Sequence, residues 1–298
     1  MYILSFAKSF FKPKSILTTL YFIMNNLLIF GIFMLFNMID FSAGEVNGVY
    51  NGLVGVGINL VFVILTLSPV GEAILRFQLK ASRLDLTRDD DNKLLQLFNE
   101  VYTAALEESP HLGSKIKLYV VRTQELNAAA LGQRTLIVNS GLLTLPEDQI
   151  KAIMAHEFGH LAHRDGDMHL AVCVSNFILT ILVSIFRLFV RIFAIFSIFS
   201  DNRDRGLIFL ALYIIEAVVS LLFYFWLWIG MVLVNVTSRK NEFAADAYAC
   251  TIGYGKELYR ALETMDSSKK KSSFFALISR THPDTVVRLE KISENVII

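Results

Sequence analysis

Cysteine and charge are both scarce in this chain of 298 residues. Its two cysteines, Cys173 and Cys250, indicate neither a disulfide framework nor a zinc site built from thiolates. Charged residues make up only 18% of the chain and hydrophobic residues 54%, which is too apolar for a typical soluble domain. The 28 basic residues are balanced by 27 acidic ones, so we expect no nucleic-acid partner.

The apolar residues are concentrated in uncharged segments. In chain order these are residues 15–38, 46–71, 170–186 and 217–238. A helix needs about 20 residues to cross the hydrocarbon core of a bilayer, and all but the third segment reach that length. We therefore expect four transmembrane helices, with the lipid bilayer as a partner. The first apolar run is far longer than the core of a signal peptide, so we interpret it as a retained membrane helix.

The distribution of positive charge predicts the orientation. Three lysines precede the first span: Lys8, Lys12 and Lys14. The loop between the first two spans has no Lys or Arg and carries Asp40 and Glu45. By the positive-inside rule the N-terminus is cytoplasmic, and four spans return the C-terminus to the same side.

The predicted spans divide the chain into four parts. Residues 1–76 form an N-terminal membrane hairpin, and residues 77–167 form the first part of a catalytic domain on the cytoplasmic side. Residues 168–238 form a second membrane hairpin, and residues 239–298 complete the catalytic domain.

The second hairpin contains charged residues far from its tip. These are Arg187, Arg191 and Glu216. Because unpaired charges in a membrane are costly, we predict that Glu216 pairs with Arg191 or, alternatively, with Arg187. Each arm of the hairpin has about 34 residues, or roughly 50 Å of helix, so part of it should protrude from a hydrocarbon core of about 30 Å.

The strongest chemical pattern in the sequence is H-E-x-x-H at residues 156–160. Pro146 favours a helix start ten residues earlier. On such a helix His156 and His160 lie one turn apart on one face, so two imidazoles can bind one metal ion. Glu157 lies beside them, where it can act as a general base on a water activated by the metal. On its own, the pattern is also compatible with a coincidence on an amphipathic helix.

A carboxylate pattern, E-x-x-x-D at Glu242 and Asp246, follows the fourth span. Glu242 as third ligand would complete a His₂Glu zinc site and leave a position open for water. Asp246 lies one helical turn further on, where it can accept a hydrogen bond from a ligand histidine and fix the ring. The metzincin alternative requires Gly at position 163 and His at position 166, whereas this chain has His163 and Gly166.

A small sheet is predicted before the metal-binding helix. Residues 115–121 and 134–139 show the pattern of strands, and residues 89–108 show that of a packing helix. Peptidases commonly bind an extended substrate along such a sheet edge. Asn127 lies between the strands, so we predict that it either contacts the substrate at this edge or occupies a turn.

Three segments together resemble the HtpX-type integral-membrane zinc metallopeptidases, relatives of the type I CaaX prenyl proteases. They are residues 155–167, 238–246 and 281–289. The resemblance implies an α+β membrane protein in which four transmembrane helices carry a gluzincin-like, mainly helical zinc-peptidase domain with a small β-sheet. It also implies that His282 and Arg288 lie near the active site. His282 would donate to the oxyanion or merely begin a helix, and Arg288 would bind substrate or hold the structure.

The resemblance also implies an activity and a location. We expect a zinc-dependent endopeptidase with one Zn²⁺ per chain, in the cytoplasmic (inner) membrane of a bacterium. Its substrates would be misfolded or damaged membrane proteins or peptides, as part of quality control and the stress response. Two alternatives stay open: a site-specific processing protease of the CaaX prenyl protease type, and a catalytically silent metal-binding membrane scaffold.

Overall fold

The computed structural model describes residues 15–36, 45–112, 115–199, 205–267 and 285–295. The helices in these ranges are α1 (Ile16–Phe36), α2 (Glu45–Thr66), α3 (Pro69–Gln78), α4 (Asp89–Glu108), α5 (Glu147–His163), α6 (Gly166–Ile198), α7 (Arg205–Thr251), α8 (Gly255–Ser267) and α9 (Thr285–Asn295). The strands are β1 (Ser82–Arg83), β2 (Lys117–Val121), β3 (Ala128–Leu131) and β4 (Thr135–Asn139).

The chain separates into two compact units. The sheet unit consists mainly of the described residues within Leu65–Met168 and Asn235–Ile298, and the span unit consists of those within Ile16–Ile64 and His169–Val234. Each unit is assembled from stretches that are distant in sequence, so neither is complete until both of its stretches are present.

A sheet with strand order β1-β2-β4-β3 organises the sheet unit. β2 and β4 are parallel, with Val120 opposite Val138, and β3 runs antiparallel to β4. The strands predicted at residues 115–121 and 134–139 are confirmed as β2 and β4. β3 escapes prediction because three consecutive alanines have little strand propensity. Since β3 is an edge strand of the described sheet, one side of its backbone is open to another chain.

Helices α4 and α5 share a hydrophobic core with one face of this sheet. The helix predicted at residues 89–108 is confirmed as α4, and Leu94 and Val101 on it are fully buried. Phe98 of α4 lies 5.5 Å from Phe158 of α5, measured between ring centroids. Contacts between large buried rings of this kind contribute strongly to packing, so they hold α5 firmly against the core.

Four of the described helices are long and apolar enough to cross a membrane: α1, α2, α6 and α7. The prediction of four spans is therefore supported by length and composition. The apolar segment predicted to continue to Gly71 is interrupted, because α2 ends at Thr66. Ser68 caps the next helix by accepting a hydrogen bond from the backbone N–H of Val70, and Pro69 occupies the first turn, where a missing N–H costs nothing.

Helix α7 is longer than the sequence predicts. It has 47 residues and runs through Ser238 without a break to Thr251. At 1.5 Å per residue this is roughly 70 Å of helix, more than twice the thickness of a hydrocarbon core. A single helix therefore carries both the fourth candidate span and the E-x-x-x-D pattern.

Asparagine side chains connect the helices of the span unit. The side-chain amide of Asn59 on α2 donates to Asn26 on α1 (2.9 Å) and to Ser175 on α6 (3.1 Å). The indole N–H of Trp226 on α7 donates to Asn25 on α1 at 2.7 Å. In an apolar environment such bonds between helices fix which helix faces meet.

The predicted charge pair within the second hairpin is confirmed, and it has three members. Oε1 of Glu216 accepts from Nε of Arg187 at 2.8 Å and from Nη2 of Arg191 at 2.9 Å. Arg187 also donates to the hydroxyl of Tyr224 at 3.2 Å. Both alternatives from the sequence are therefore realised at once, because Arg187 and Arg191 lie one turn apart on the same face of α6.

Replacing Glu216 by Gln should lower the unfolding temperature of the detergent-purified protein by several degrees, because two guanidinium groups then lose their carboxylate. Thermal unfolding measured by intrinsic fluorescence tests this. Glu263→Gln, an exposed change on α8, is the matched control. If both variants unfold at the wild-type temperature, the charge pair contributes nothing to stability.

Candidate metal centre and active site

Helix α5 presents the H-E-x-x-H pattern, and both of its ends are defined by the local sequence. It follows Pro146 and has acidic residues in its first turn, which favour the positive end of the helix dipole. It ends at Arg164, whose left-handed backbone (φ 53°) stops the helix. The N–H of Asp165 then donates back to the carbonyl of His160 at 3.2 Å, as in common helix-terminating turns.

Gly159 allows α5 and α7 to lie unusually close together. A Cβ atom at this position would lie 2.9 Å from the Cα of Ala245 and 3.1 Å from the Cβ of Tyr248. The first distance is shorter than real contacts allow, so any larger residue would push the helices apart. Because Gly159 has no side chain, α7 lies close enough to α5 for Glu242, one turn before Ala245, to reach His156 and His160.

The three predicted ligands meet at one point. His156, His160 and Glu242 offer ligand atoms that all lie within 4.8 Å of one another. The two Nε2 atoms are 3.1 Å apart, and they lie 3.4 Å (His160) and 3.5 Å (His156) from the nearest oxygens of Glu242. Donors arranged tetrahedrally at zinc distances would be separated by about 3.3 Å. The spacing and the donor types therefore fit a metal ion of this kind.

Each histidine is oriented through its other ring nitrogen. Nδ1 of His156 lies 2.8 Å from Oδ1 of Asp246, the partner predicted from the sequence. Nδ1 of His160 lies 3.2 Å from Oδ2 of Asp165, a partner that the sequence pattern does not predict. Carboxylates at both Nδ1 atoms favour the tautomers in which both Nε2 lone pairs are available to a metal. Helical spacing does not predict Asp165 as a partner, because its position depends on the left-handed turn at Arg164.

Arg288 on α9 lies against the two carboxylates of the site, Asp246 and Glu242. Its guanidinium donates to both oxygens of Asp246, at 2.9 Å and 2.6 Å. It also lies 3.3 Å from Oε2 of Glu242 and is only 6% exposed. The resemblance places Arg288 near the active site, and the structure brings it there. Its predicted contact with substrate remains a prediction, because two buried carboxylates already hold the guanidinium.

The charges of the centre determine the protonation of its groups. Burial would lower the pKa of His160, but hydrogen bonds to Asp165 and Glu242 outweigh it and raise that pKa to about 10. Burial would likewise raise the pKa of Asp246, but hydrogen bonds from His156 and Arg288 lower it. Without a metal the imidazoles therefore bind protons strongly, and a metal ion must displace those protons when it binds.

Glu157, the predicted general base, lies beside the edge of the sheet. Its Oε2 accepts a hydrogen bond from the backbone N–H of Ala130 in β3 at 2.8 Å, and its side chain is buried. Asn127 directly precedes β3, as predicted for a residue near that edge, and its carbonyl accepts from the N–H of Asn139 at 2.9 Å. His282 lies outside the described residues, so its role stays a prediction.

Comparison with known proteins agrees with this geometry. Residues 90–296 match the family model of peptidase family M48. The chain belongs to peptidase family M48. This span includes both metal-ligand patterns, Asp165 and Arg288, so the whole candidate centre falls within the family domain.

Individual relatives are similar over most of the chain. A Protease HtpX homolog from Helicobacter pylori is 27% identical over an alignment of 227 residues, and the match covers 67% of each chain. Protease HtpX from Cellvibrio japonicus is 28% identical over an alignment of 262 residues, and the match covers 80% of this chain and 83% of the relative. The crystal structure of S. mikatae Ste24p is 20% identical with a TM-score of 0.47, covering 90% of this chain and 62% of Ste24p.

Membership of family M48, together with the apolar helices, identifies the chain as a multi-pass membrane metallopeptidase. A metallopeptidase needs a metal site, and His156, His160 and Glu242 could form one. These residues come from two segments separated by the second membrane hairpin.

Replacing Asp165 by Asn should weaken metal binding about 10- to 100-fold, the usual effect of losing a carboxylate that orients a ligand histidine. The measurement is metal retained by the purified protein in competition with a graded chelator. Asp148→Asn, an exposed change in the first turn of α5, is the control. Equal metal retention by both variants would show that Asp165 does not orient His160.

Proposed function

We propose that the chain is a zinc-dependent endopeptidase of the cytoplasmic membrane. The observation that carries this proposal is the position of Glu157, a buried carboxylate next to the cluster of His156, His160 and Glu242. Two imidazoles and one carboxylate are the donor set of catalytic zinc sites that keep a further position open. These three residues would hold one Zn²⁺ per chain. When bound, this Lewis acid would lower the pKa of a water molecule to about 7.

Glu157 moves the protons in the proposed reaction. Its carboxylate takes the proton of the attacking water and passes it to the amine that leaves when the peptide bond breaks. The N–H of Ala130 holds one carboxylate oxygen of Glu157, so the other oxygen is available for the proton. His282 would donate to the oxyanion that forms on the scissile carbonyl.

The outer residues keep this arrangement fixed while protons move. Asp246 and Asp165 each orient one imidazole through its Nδ1 atom. Arg288 compensates the negative charge of Asp246 and Glu242, which would otherwise repel each other in a buried place. These contacts favour a positioning role for Arg288 over direct contact with the substrate.

The substrate would bind as an additional strand along β3. In an antiparallel pair the backbone groups alternate in direction, and the carbonyl of Asn127 faces β4. The backbone groups of Ala128 and Ala130 therefore face the open edge, and the contact of Ala130 with Glu157 agrees with this. A peptide paired to this edge would pass directly over Glu157, and Asn127 would lie at one end of the paired segment.

The proposed substrates are misfolded or damaged membrane proteins in a bacterial inner membrane, and the active site would face the cytoplasm. The lysines before α1 and the acidic loop after it support this orientation. A cysteine introduced at Lys256 should react with an impermeant thiol reagent only after the membrane is opened. Labelling of sealed cells through that cysteine would reverse the proposed orientation.

The central test compares Glu157→Gln and Glu242→Ala with the wild type in detergent. Glu157→Gln should keep its zinc and lose casein cleavage by about 10²- to 10⁴-fold, because it keeps the size of the side chain but removes the base. Glu242→Ala should lose zinc and cleavage together. Glu147→Gln, an exposed change on α5, should match the wild type in both.

The pattern of outcomes separates the alternatives. Cleavage by Glu157→Gln with zinc bound would rule out the proposed base. Zinc in the wild type without any cleavage of casein, but with cleavage of a prenylated C-terminal peptide, would favour the site-specific processing protease. Zinc without cleavage of either substrate would favour the silent scaffold, although a scaffold has no need for Glu157.

Replacing Ala128 by Pro tests the substrate edge, because the N–H of Ala128 also faces that edge, whereas the N–H of Ala130 holds Glu157. Proline removes the N–H that faces away from β4, so the sheet should persist while the strand loses one bond to a bound peptide. We expect a higher KM and slower cleavage of peptides. Ala128→Ser keeps the N–H and serves as the control. If both variants cleave at the wild-type rate and unfold at the wild-type temperature, substrate does not pair with β3.

A further inference from the structure

An open cavity of about 380 Å³ lies in the sheet unit, on α3 and the adjoining ends of β2 and β4. It is separate from the residues of the metal centre. Its lining is rich in polar side chains: Glu72, Arg76, Lys115, Lys117, Arg134 and Thr135. The volume falls in the range of cavities that bind small molecules. Nothing in the peptidase mechanism uses these residues.

The lining of this cavity is strongly basic. It has four cationic side chains and one carboxylate, that of Glu72. Glu72 is buried and already accepts from the N–H of Gln133 at 2.8 Å and from the hydroxyl of Thr135 at 3.0 Å. Arg76 donates to Thr135 at 2.8 Å and lies over the ring of Tyr119, so its position is fixed. A pocket whose side chains are held in place and whose charge is mainly positive favours an anion that accepts several hydrogen bonds.

The same helix presents an apolar stripe on its surface. Val70, Ile74 and Phe77 recur at helical spacing and are 58%, 54% and 84% exposed. Glu72 on another face of α3 is buried against the sheet. A helix with one face on its own domain and an exposed apolar face suits the boundary between headgroups and acyl chains.

The position of α3 in the chain brings this surface close to a membrane. Helix α2, a candidate span, ends at Thr66, and Pro69, which lines the cavity, follows three residues later. Three residues extend at most about 11 Å. The cavity wall at Pro69 therefore lies no more than about 11 Å from the end of a candidate span, a distance comparable to the thickness of the headgroup layer.

We propose that this cavity binds the phosphate of an anionic phospholipid headgroup while the apolar stripe contacts the acyl chains. Arg76, which Thr135 and Tyr119 hold in place, would provide directed hydrogen bonds at the floor, and the two lysines and Arg134 would provide charge at the rim. The proposal does not depend on the peptidase activity.

The test uses the full-length protein in neutral detergent, titrated with phosphatidylglycerol, phosphatidylcholine or inorganic phosphate. Bound lipid is counted by native mass spectrometry. The variant is Lys115→Gln/Lys117→Gln, and the control is Lys256→Gln/Arg260→Gln, which removes the same charge from exposed positions on α8. We expect phosphatidylglycerol to bind wild type and control more tightly than phosphatidylcholine, and to bind the cavity variant about 30-fold more weakly.

The other possible results of the lipid titration each support or overturn the proposed phosphate site. Equal losses in the cavity variant and the control, or no preference for phosphatidylglycerol, would overturn the proposal. Inorganic phosphate that competes with lipid at millimolar concentration would keep the phosphate site and overturn the membrane as its source. If the double variant does not fold, as judged by thermal unfolding, Lys117→Gln alone should weaken phosphatidylglycerol binding about fivefold.

Discussion

The structure of the candidate centre depends on balancing charge in a place that excludes water. Glu242, Asp246 and Arg288 are all less than a tenth exposed, and so are His156 and Glu157. An isolated charge buried in this way would be very unfavourable, so each of these groups has a partner of opposite charge or a hydrogen-bond donor. The network therefore specifies the geometry of α5, α7 and α9 together, because displacing any one helix leaves a buried charge without its partner.

Close packing of small residues makes this network possible. Only a glycine at position 159 lets the backbone of α7 approach α5 closely enough for a glutamate to reach two histidines. The large aromatic ring of Phe158, beside it, points into the core and anchors the same helix. The two variable positions of the H-E-x-x-H pattern thus have opposite structural tasks, one filling space and the other leaving it empty.

The sequence predicts the parts of the site that follow from helical periodicity. His156, Glu157, His160, Glu242 and Asp246 are all recognisable because their spacing puts them on defined helix faces. Features that depend on a turn or on tertiary contacts cannot be predicted from helical spacing. Asp165 reaches His160 only through a left-handed residue. The alanines of β3 become a strand only because β4 pairs with them, and α2 stops at Thr66 only because Ser68 caps the next helix.

The order in which the ribosome makes the chain has a consequence for the centre. His156, His160 and Asp165 lie within ten residues of one another and form a local half of the site. Glu242 and Asp246 are synthesised only after the whole second hairpin, and Arg288 later still. A nascent chain therefore contains His156, Glu157 and His160 before the third candidate ligand is made. The three candidate ligands are therefore present together only after both predicted membrane hairpins have been synthesised.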